Sequence, residues 1–249
     1  MITLSSDFGW PYPAAMRGTI MQLTDARLIN ICHSFPRGDV RTAGFWLREI
    51  LPHFPPAVHL AVVDPGVGGD RDVLVITADE HVLVGPDNGL LVPAARRLGE
   101  QVESYVLAEY DAASHTFHGR DVFAPLAARI HEQNDVGAIP DLASTSAPVD
   151  LQFPDPVYAG SDVRGEVLVI DGFGNVITNI PGEAITDHFA DCVVVNGMSI
   201  PAVSHYAAVD RGAPLVTVGS TGLVELAVND GRGDVVFELD VGDDVVITT

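Results

Sequence analysis

Hydrophobic positions change their period once along the chain, and the change divides it. Through the first half, short apolar runs alternate with stretches in which apolar residues recur at three- and four-residue spacing. Met1 to Leu4, Arg27 to Cys32 and Val58 to Val63 read as strands; Ala14 to Leu23, Val40 to Ile50 and Leu91 to Leu98 read as helices. Asp39 stands where it can cap the second helix, and Pro52 with Phe54-Pro55-Pro56 ends it. Asp72 to Ala78 and His81 to Gly85 read as strands about an Asp79-Glu80 turn, followed by a strand at Val102 to Leu107 and a helix at Val122 to His131. This alternation predicts an N-terminal α/β domain, residues 1–150, with a largely parallel sheet.

From about Gln133 to Ser161 the chain is rich in Pro, Asp, Ser and Ala without period, which reads as a connection. After it, the runs are short and alternating or β-branched: EVLVID, NVITNI, CVVVNGMSIPAV, PLVTVGS, LVELAVN, DVVFELD and DVVITT. They predict an all-β, barrel-like C-terminal domain, residues 163–249, with a hairpin turn at Asn196-Gly197.

Composition removes several function classes. The 249 residues, 47% hydrophobic, suffice for one large core or two modest ones. No apolar run approaches the roughly 18 residues of a membrane helix, and MITL leads directly into Ser5, Ser6 and Asp7, so no membrane partner and a cytoplasmic location are expected. Cys32 and Cys192 lie far apart with no ligand-like spacing, which argues against a disulfide framework or a zinc site. The net charge is −21, and all 13 basic residues are arginines scattered among carboxylates, so no nucleic-acid partner is expected. Such an excess of acid suits solubility at high ionic strength, where repulsion is screened.

The chemistry is concentrated at strand ends. In AVVDPGVGGDRD, residues 61–72, an apolar run breaks into a Pro/Gly turn bearing Asp64 and, seven residues on, Arg71. In open α/β sheets, ligands bind at such carboxyl ends. There is no G-x-S-x-G elbow, and Gly66, Gly68 and Gly69 do not fit the dinucleotide fingerprint. His53/His59 and His115/His118 lack an H-E-x-x-H frame or a cysteine pair, so no metal is expected. The polar groups left at strand ends and turns are Asp7, Asp64, Arg71, Asp87, Asn88, His118, Arg120 and Asp121, then Asp171 and Asn175 in the second half. Singly, each also has a structural explanation: PDNG is a turn, and Arg120-Asp121 can be a local ion pair.

Together these stretches resemble the S-adenosyl-L-methionine hydrolases, also called SAM hydroxide adenosyltransferases, which are related to the fluorinating and chlorinating enzymes. The resemblance rests on SSDFG at 5–9, ICHS at 31–34, VVDPGVGGDR at 62–71, GPDNGLL at 85–91, TFHGRDVFAP at 116–125, IDGFGNVITNI at 170–180 and GSTGLVELAVN at 219–229. It implies water or hydroxide attack at the ribose C5′ of S-adenosylmethionine without cofactor or metal, and homotrimers with sites at subunit interfaces. It further implies Asp64, Arg71 and His118 as the catalytic set, with Asp64 where the halogenating branch typically has Tyr. Asp7 would hold the ribose hydroxyls, Phe117 and Phe173 would line the pocket, Asn175 would read the adenine, and Asp171 and Ser220 would hold the methionine end. Halide-dependent attack at C5′ and a non-catalytic nucleoside-binding protein are the alternatives. One departure stands out: after SDFG the chain reads WPYPAAMRG, two residues shorter than the family's usual stretch, lacking its second Asp and with Arg17 in place of its Lys.

Overall fold

The computed structural model describes residues 1–108, 110, 114 and 116–249, and the chain forms two compact units, Met1–Gln152 and Phe153–Thr249. The first contains β1 (Ile2–Ser6), α1 (Tyr12–Met21), β2 (Leu28–Cys32), α2 (Val40–Ile50), β3 (Val58–Val62), β4 (Val73–Ala78), β5 (His81–Pro86), α3 (Val92–Leu98), β6 (Val102–Leu107), α4 (Ala124–Gln133) and β7 (Leu142–Thr145). Its sheet runs β2-β1-β3-β5-β4-β6-β7. The β2/β1, β1/β3 and β3/β5 pairs are parallel, and β4, β6 and β7 extend the sheet antiparallel.

Alternation along the strands builds a core on each face. Val58, Leu60 and Val62 of β3 pack with Met16 and Ile20 of α1 and with Phe123 and Ala127 beside and on α4. Ala61 and Val63, out of phase with them, pack with Ala43 and Leu47 of α2 and Ala94 and Ala95 of α3. Asp39 caps α2 as expected, accepting from the Thr42 amide at 2.9 Å. The stretch expected to be a connection contributes β7, paired with β6. Its LAST sequence carries too little apolar pattern to announce a strand at the sheet edge.

The second unit contains β8 (Val157–Ala159), β9 (Asp162–Ile170), β10 (Val176–Pro181), α5 (Glu183–Thr186), β11 (Cys192–Val195), β12 (Met198–Pro201), β13 (Pro214–Val218), β14 (Leu223–Val228), α6 (Gly233–Phe237) and β15 (Asp244–Thr248). Its strands pair antiparallel in the order β12-β11-β15-β9-β10-β14-β13, with β8 on β9. A bridge between Ala202 and Val216 brings the two ends together into a nearly closed barrel around Val167, Val176, Val216, Leu226 and Ile247. The β11–β12 hairpin turns at Asn196 (φ 46°) and Gly197 (φ 86°), the positive-φ pair that an Asn-Gly turn predicts. DVVF, expected as a strand, is instead α6: Gly233 and Phe237 are buried one helical turn apart, while Val235 and Val236 are exposed.

One polar chain runs across β1, β3 and β5. His59, 1% exposed, bonds Thr3 Oγ1 through Nδ1 (2.8 Å) and His81 Nδ1 through Nε2 (2.9 Å). Burial, reinforced by the neighbouring His81, lowers the His59 pKa to about 3. His81 is also lowered by burial, against the pull of Glu80 and Asp79. A histidine held neutral in the fold contributes stability above its unfolded pKa of about 6.5, and that contribution is lost as pH falls from there toward the folded value. Denaturation at stepped pH should therefore show stability falling below pH 6.5 more steeply in the wild type than in His59→Gln, by up to about 1.4 kcal/mol per pH unit. Equal slopes would mean that His59 is not the group taking up the proton.

Candidate active site

Because β2, β1, β3 and β5 are parallel, their carboxyl ends share one edge of the sheet. That edge carries His33, Asp7, Asp64 and Asp87, each just beyond the last residue of its strand or one residue further on. Arg71 reaches the same edge from the turn that joins β3 to β4, whose Val73 pairs with Pro86 at the end of β5. His118 sits at the start of a five-residue π-helical turn, Gly119–Phe123, that runs into α4.

Three residues meet here, Asp64 and Arg71 seven positions apart and His118 another 47 beyond Arg71. Arg71 forks onto Asp64, with Nε 3.2 Å from Oδ1 and 3.1 Å from Oδ2, and Nη2 2.5 Å from Oδ2. The Asp64 and Arg71 side chains are 3% and 10% exposed. The same Nη2 lies 2.8 Å from His118 Nδ1, and Nη1 donates to the Tyr110 hydroxyl at 3.2 Å. A guanidinium can only donate, so Nδ1 is an acceptor and the neutral imidazole carries its proton on Nε2. Burial opposes the charge of Arg71, but Asp64 and then Tyr110 outweigh it and raise its pKa above the usual arginine value. Arg71 also lies 5.2 Å from the centre of the Phe123 ring. Of its five N–H groups, Nε–H and one Nη2–H face Asp64, the other Nη2–H faces His118, and one Nη1–H faces Tyr110. The second Nη1–H has no partner among the described residues, leaving one donor for a water or a developing oxyanion beside a fixed carboxylate.

The surrounding turns lock this cluster in place. Asn88 of the PDNG turn donates to the Val63 carbonyl at 2.9 Å, next to Asp64, and accepts from the Leu90 amide at 3.2 Å. Asp87 accepts from the Val149 amide at 2.8 Å, and burial raises its pKa despite that bond. Arg120 and Asp121 pair with each other at 2.6 Å, the local reading of that dipeptide, while the Arg120 guanidinium stacks 5.2 Å from the Phe117 ring centre. Asp7 accepts from the Gly38 amide at 2.7 Å. Phe117 is half-buried, edge to face with Phe8 and Tyr12 at 5.8 and 5.4 Å between centroids. A separate concavity of about 410 Å³ lies along α1 and β2, lined by Trp10, Arg17, Met21, Asn30 and His33, and none of the Asp64, Arg71 and His118 cluster lines it. The chemistry of the groups, not the size of that hollow, marks the site.

In the second unit, Asp171 and Asn175 occupy the β9–β10 turn. Asp171 Oδ1 accepts from the Phe173 and Asn175 amides at 2.8 and 2.9 Å, and Oδ2 accepts from Asn175 Nδ2 at 3.0 Å. Phe173 is 79% exposed, and Ser220 is exposed in the β13–β14 turn. His115 lies outside the described residues, and among those described no group of three or more His, Cys, Asp or Glu side chains is arranged to hold a metal ion.

The N-terminal domain profile of the SAM hydroxide adenosyltransferases matches residues 2–140, and the C-terminal domain profile matches residues 165–246. This chain belongs to the SAM hydroxide adenosyltransferase family. It is 37% identical to a Salinispora tropica protein named (R)-S-adenosyl-L-methionine hydrolase, over 99% of this chain and 97% of that one. A Thermus thermophilus protein of the same name is 35% identical over 91% of each chain. The fold matches that of an uncharacterized conserved protein from Thermotoga maritima with a TM-score of 0.87, at 33% identity over the full length of both chains.

In this SAM hydroxide adenosyltransferase, Tyr110 is a group that the motifs did not signal. It stands in a stretch of sequence without period, 39 residues after Arg71, and its ring also lies edge to face with His118 at 5.6 Å. The buried ion pair makes a separate prediction. Removing one partner of a buried pair strands the other charge and costs about 3–5 kcal/mol, whereas removing both is far milder. Arg71→Ala should lower the unfolding free energy by about 3 kcal/mol, and adding Asp64→Asn should return more than half of it, as read by urea denaturation. A double variant no more stable than the single one would show that Asp64 does not depend on Arg71 for its burial.

Proposed function

We propose that this chain hydrolyses S-adenosyl-L-methionine, giving adenosine and L-methionine, by attack of water at the ribose C5′. The observation that carries the reading is the Asp64–Arg71–His118 cluster in a member of the SAM hydroxide adenosyltransferase family. Oxygen forms a bond to C5′ as the C5′–S bond breaks, and the bonding pair returns to sulfur. The sulfonium leaves as a neutral thioether, so the leaving group needs neither a general acid nor a metal. The demand falls on the nucleophile, since neutral water is a poor one.

The remaining Nη1–H of Arg71 orients that water, and Asp64 takes up its proton as the C–O bond forms. His118 holds Arg71 through Nδ1 and, with its proton on Nε2, offers no lone pair in this arrangement. Asp7 serves the ribose hydroxyls, Phe117 and Phe173 flank the nucleoside, Asn175 faces the adenine, and Asp171 and Ser220 serve the methionine end. These assignments follow the motif resemblance, supported by the bonding of Asp171 and Asn175 within one turn. The two free cysteines suit a reducing, cytoplasmic setting.

Turnover in oxygen-18 water tests the reaction. Label should enter the adenosine 5′-hydroxyl with methionine released, at a rate unchanged by chelators; no turnover, or turnover that requires added halide, would refute it. Within it, Asp64→Asn should cost about a thousandfold in kcat, and Arg71→Ala and His118→Ala at least about a hundredfold. A variant that keeps full turnover removes its residue from the catalytic set.

The proposal extends to a homotrimer with its sites at subunit interfaces, as the resemblance implies. Co-expressing an Asn175→Ala chain with a His118→Ala chain, each inactive alone, should then restore activity in mixed oligomers. A mixture that stays inactive would place every complete site within a single chain.

A further inference from the structure

Glu225 is a buried carboxyl that the reaction above does not use. It lies in the middle of β14, paired with Thr217 of β13 and Ile177 of β10, and is 5% exposed. Its neighbours Val224 and Leu226 belong to the barrel core, so Glu225 points to the other face of the strand. On that face Tyr206 donates its hydroxyl proton to Glu225 Oε1. A Cβ at Gly219, beside Ser220, would come within 2.5 Å of Glu225 Oε2, so the missing side chain leaves the carboxyl its present position against this turn. A buried charge of this kind is costly unless its hydrogen bonds are used. Burial, and then the charge of Asp171, raise the Glu225 pKa against the bond from Tyr206, and burial and Glu225 together push the Tyr206 pKa up. The phenol therefore keeps its proton, committed to Glu225.

With that proton committed, Tyr206 Oη can only accept, and it takes Asn175 Nδ2 at 3.5 Å. The other Nδ2–H goes to Asp171 Oδ2 at 3.0 Å. Both groups facing the nitrogen are acceptors, which decides the amide orientation: nitrogen inward and Oδ1 outward. Asp171 alone would leave the amide hinged on one bond; Tyr206 supplies the second pin, and only while Glu225 holds its proton.

We propose that Glu225, acting through Tyr206, fixes the Asn175 carboxamide with its oxygen outward and so makes this enzyme select a 6-amino purine over a 6-oxo purine. An outward oxygen accepts from the exocyclic amino group of adenine, whereas the 6-oxo group of hypoxanthine sets acceptor against acceptor. Glu225 is a positioning residue and Tyr206 its relay; neither need touch the substrate. The inference rests on the assignment of Asn175 to the purine.

The test is the ratio of dissociation constants for inosine and adenosine, read by calorimetry on the intact protein, which does not depend on turnover. Glu225→Gln keeps the shape but lets the side chain donate to Tyr206, freeing the phenol proton to turn toward Asn175. Tyr206→Phe removes the second pin outright and is the milder change for folding. Each should lower the wild-type preference for adenosine about tenfold, because one favourable hydrogen bond is no longer held in place. A general loss of structure would weaken both nucleosides together and leave the ratio unchanged. Asn175→Ala is the control and should abolish the preference. If Asn175→Ala keeps the wild-type ratio, the assignment of Asn175 to the purine fails and the relay with it. If Asn175→Ala loses the preference while folded Glu225→Gln and Tyr206→Phe keep it, the relay alone is overturned.

Discussion

The Asp64–Arg71 ion pair is the interaction on which the first unit's site depends, and it works because the fold supplies what such a pair needs. Burying two charges costs several kcal/mol for each ion unless the geometry is bidentate and the remaining valences are used. Parallel strands end at one edge, β3 delivers Asp64 there, and the turn that follows returns Arg71 within forked contact of it. Asn88 holds the adjacent Val63 carbonyl, so the end of β3 cannot drift from the end of β5. His118 and Tyr110 then take up guanidinium protons that would otherwise be buried without partners. Once those contacts are made, the arginine is fixed in position and its last N–H has a defined direction, which is what preorganised stabilisation of a nucleophile requires.

The second unit reaches order by a different route. Its polar groups lie in turns, with Asp171 closing the β9–β10 turn on the backbone amides of Phe173 and Asn175. Gly174, at φ 88°, provides the reversal that lets one carboxylate collect both. Asn175, at the base of the turn where β10 begins, is held by Asp171 and reached from β14 as well: the strand anchors Glu225, and Glu225 anchors Tyr206. The amide is thus oriented in part from a neighbouring strand, at the cost of a buried carboxyl.

Some of this was legible in the sequence, for a physical reason. An apolar run broken by Asp-Pro and glycines must expose its polar residue at a strand end, so Asp64 could be found without coordinates, as could Asp7 after MITL. The Asn-Gly hairpin was equally legible, because few dipeptides accept two positive φ values. Tyr110 was not, since its contact with Arg71 is made across 39 residues by a segment without period. DVVF misled because β-branched residues suggest a strand, whereas burial of Gly233 and Phe237 at helical spacing decided otherwise. Glu225 gave no signal in the sequence. An alternating glutamate in VELAV is compatible with a solvated strand face, and its burial, with Tyr206 and Gly219 against it, is a matter of tertiary approach.

Charge distinguishes the proposed hydrolysis from attack by halide. S-adenosylmethionine, with its sulfonium, ammonium and carboxylate, carries one net positive charge, while adenosine and zwitterionic methionine carry none and the reaction releases one proton. A chain of net charge −21 attracts the substrate and has no such hold on the products. A halide would have to enter against that field, with the Asp64–Arg71 pair neutral as a unit and the substrate's own sulfonium to draw it in. Water, being neutral, is indifferent to the field. At an ionic strength of about 0.15 M the surface field decays over about 8 Å, whereas a buried pair is screened far less. Salt should therefore act on the encounter of the cation with the protein and leave the chemical step, for which the buried Asp64, Arg71 and His118 are proposed, largely untouched.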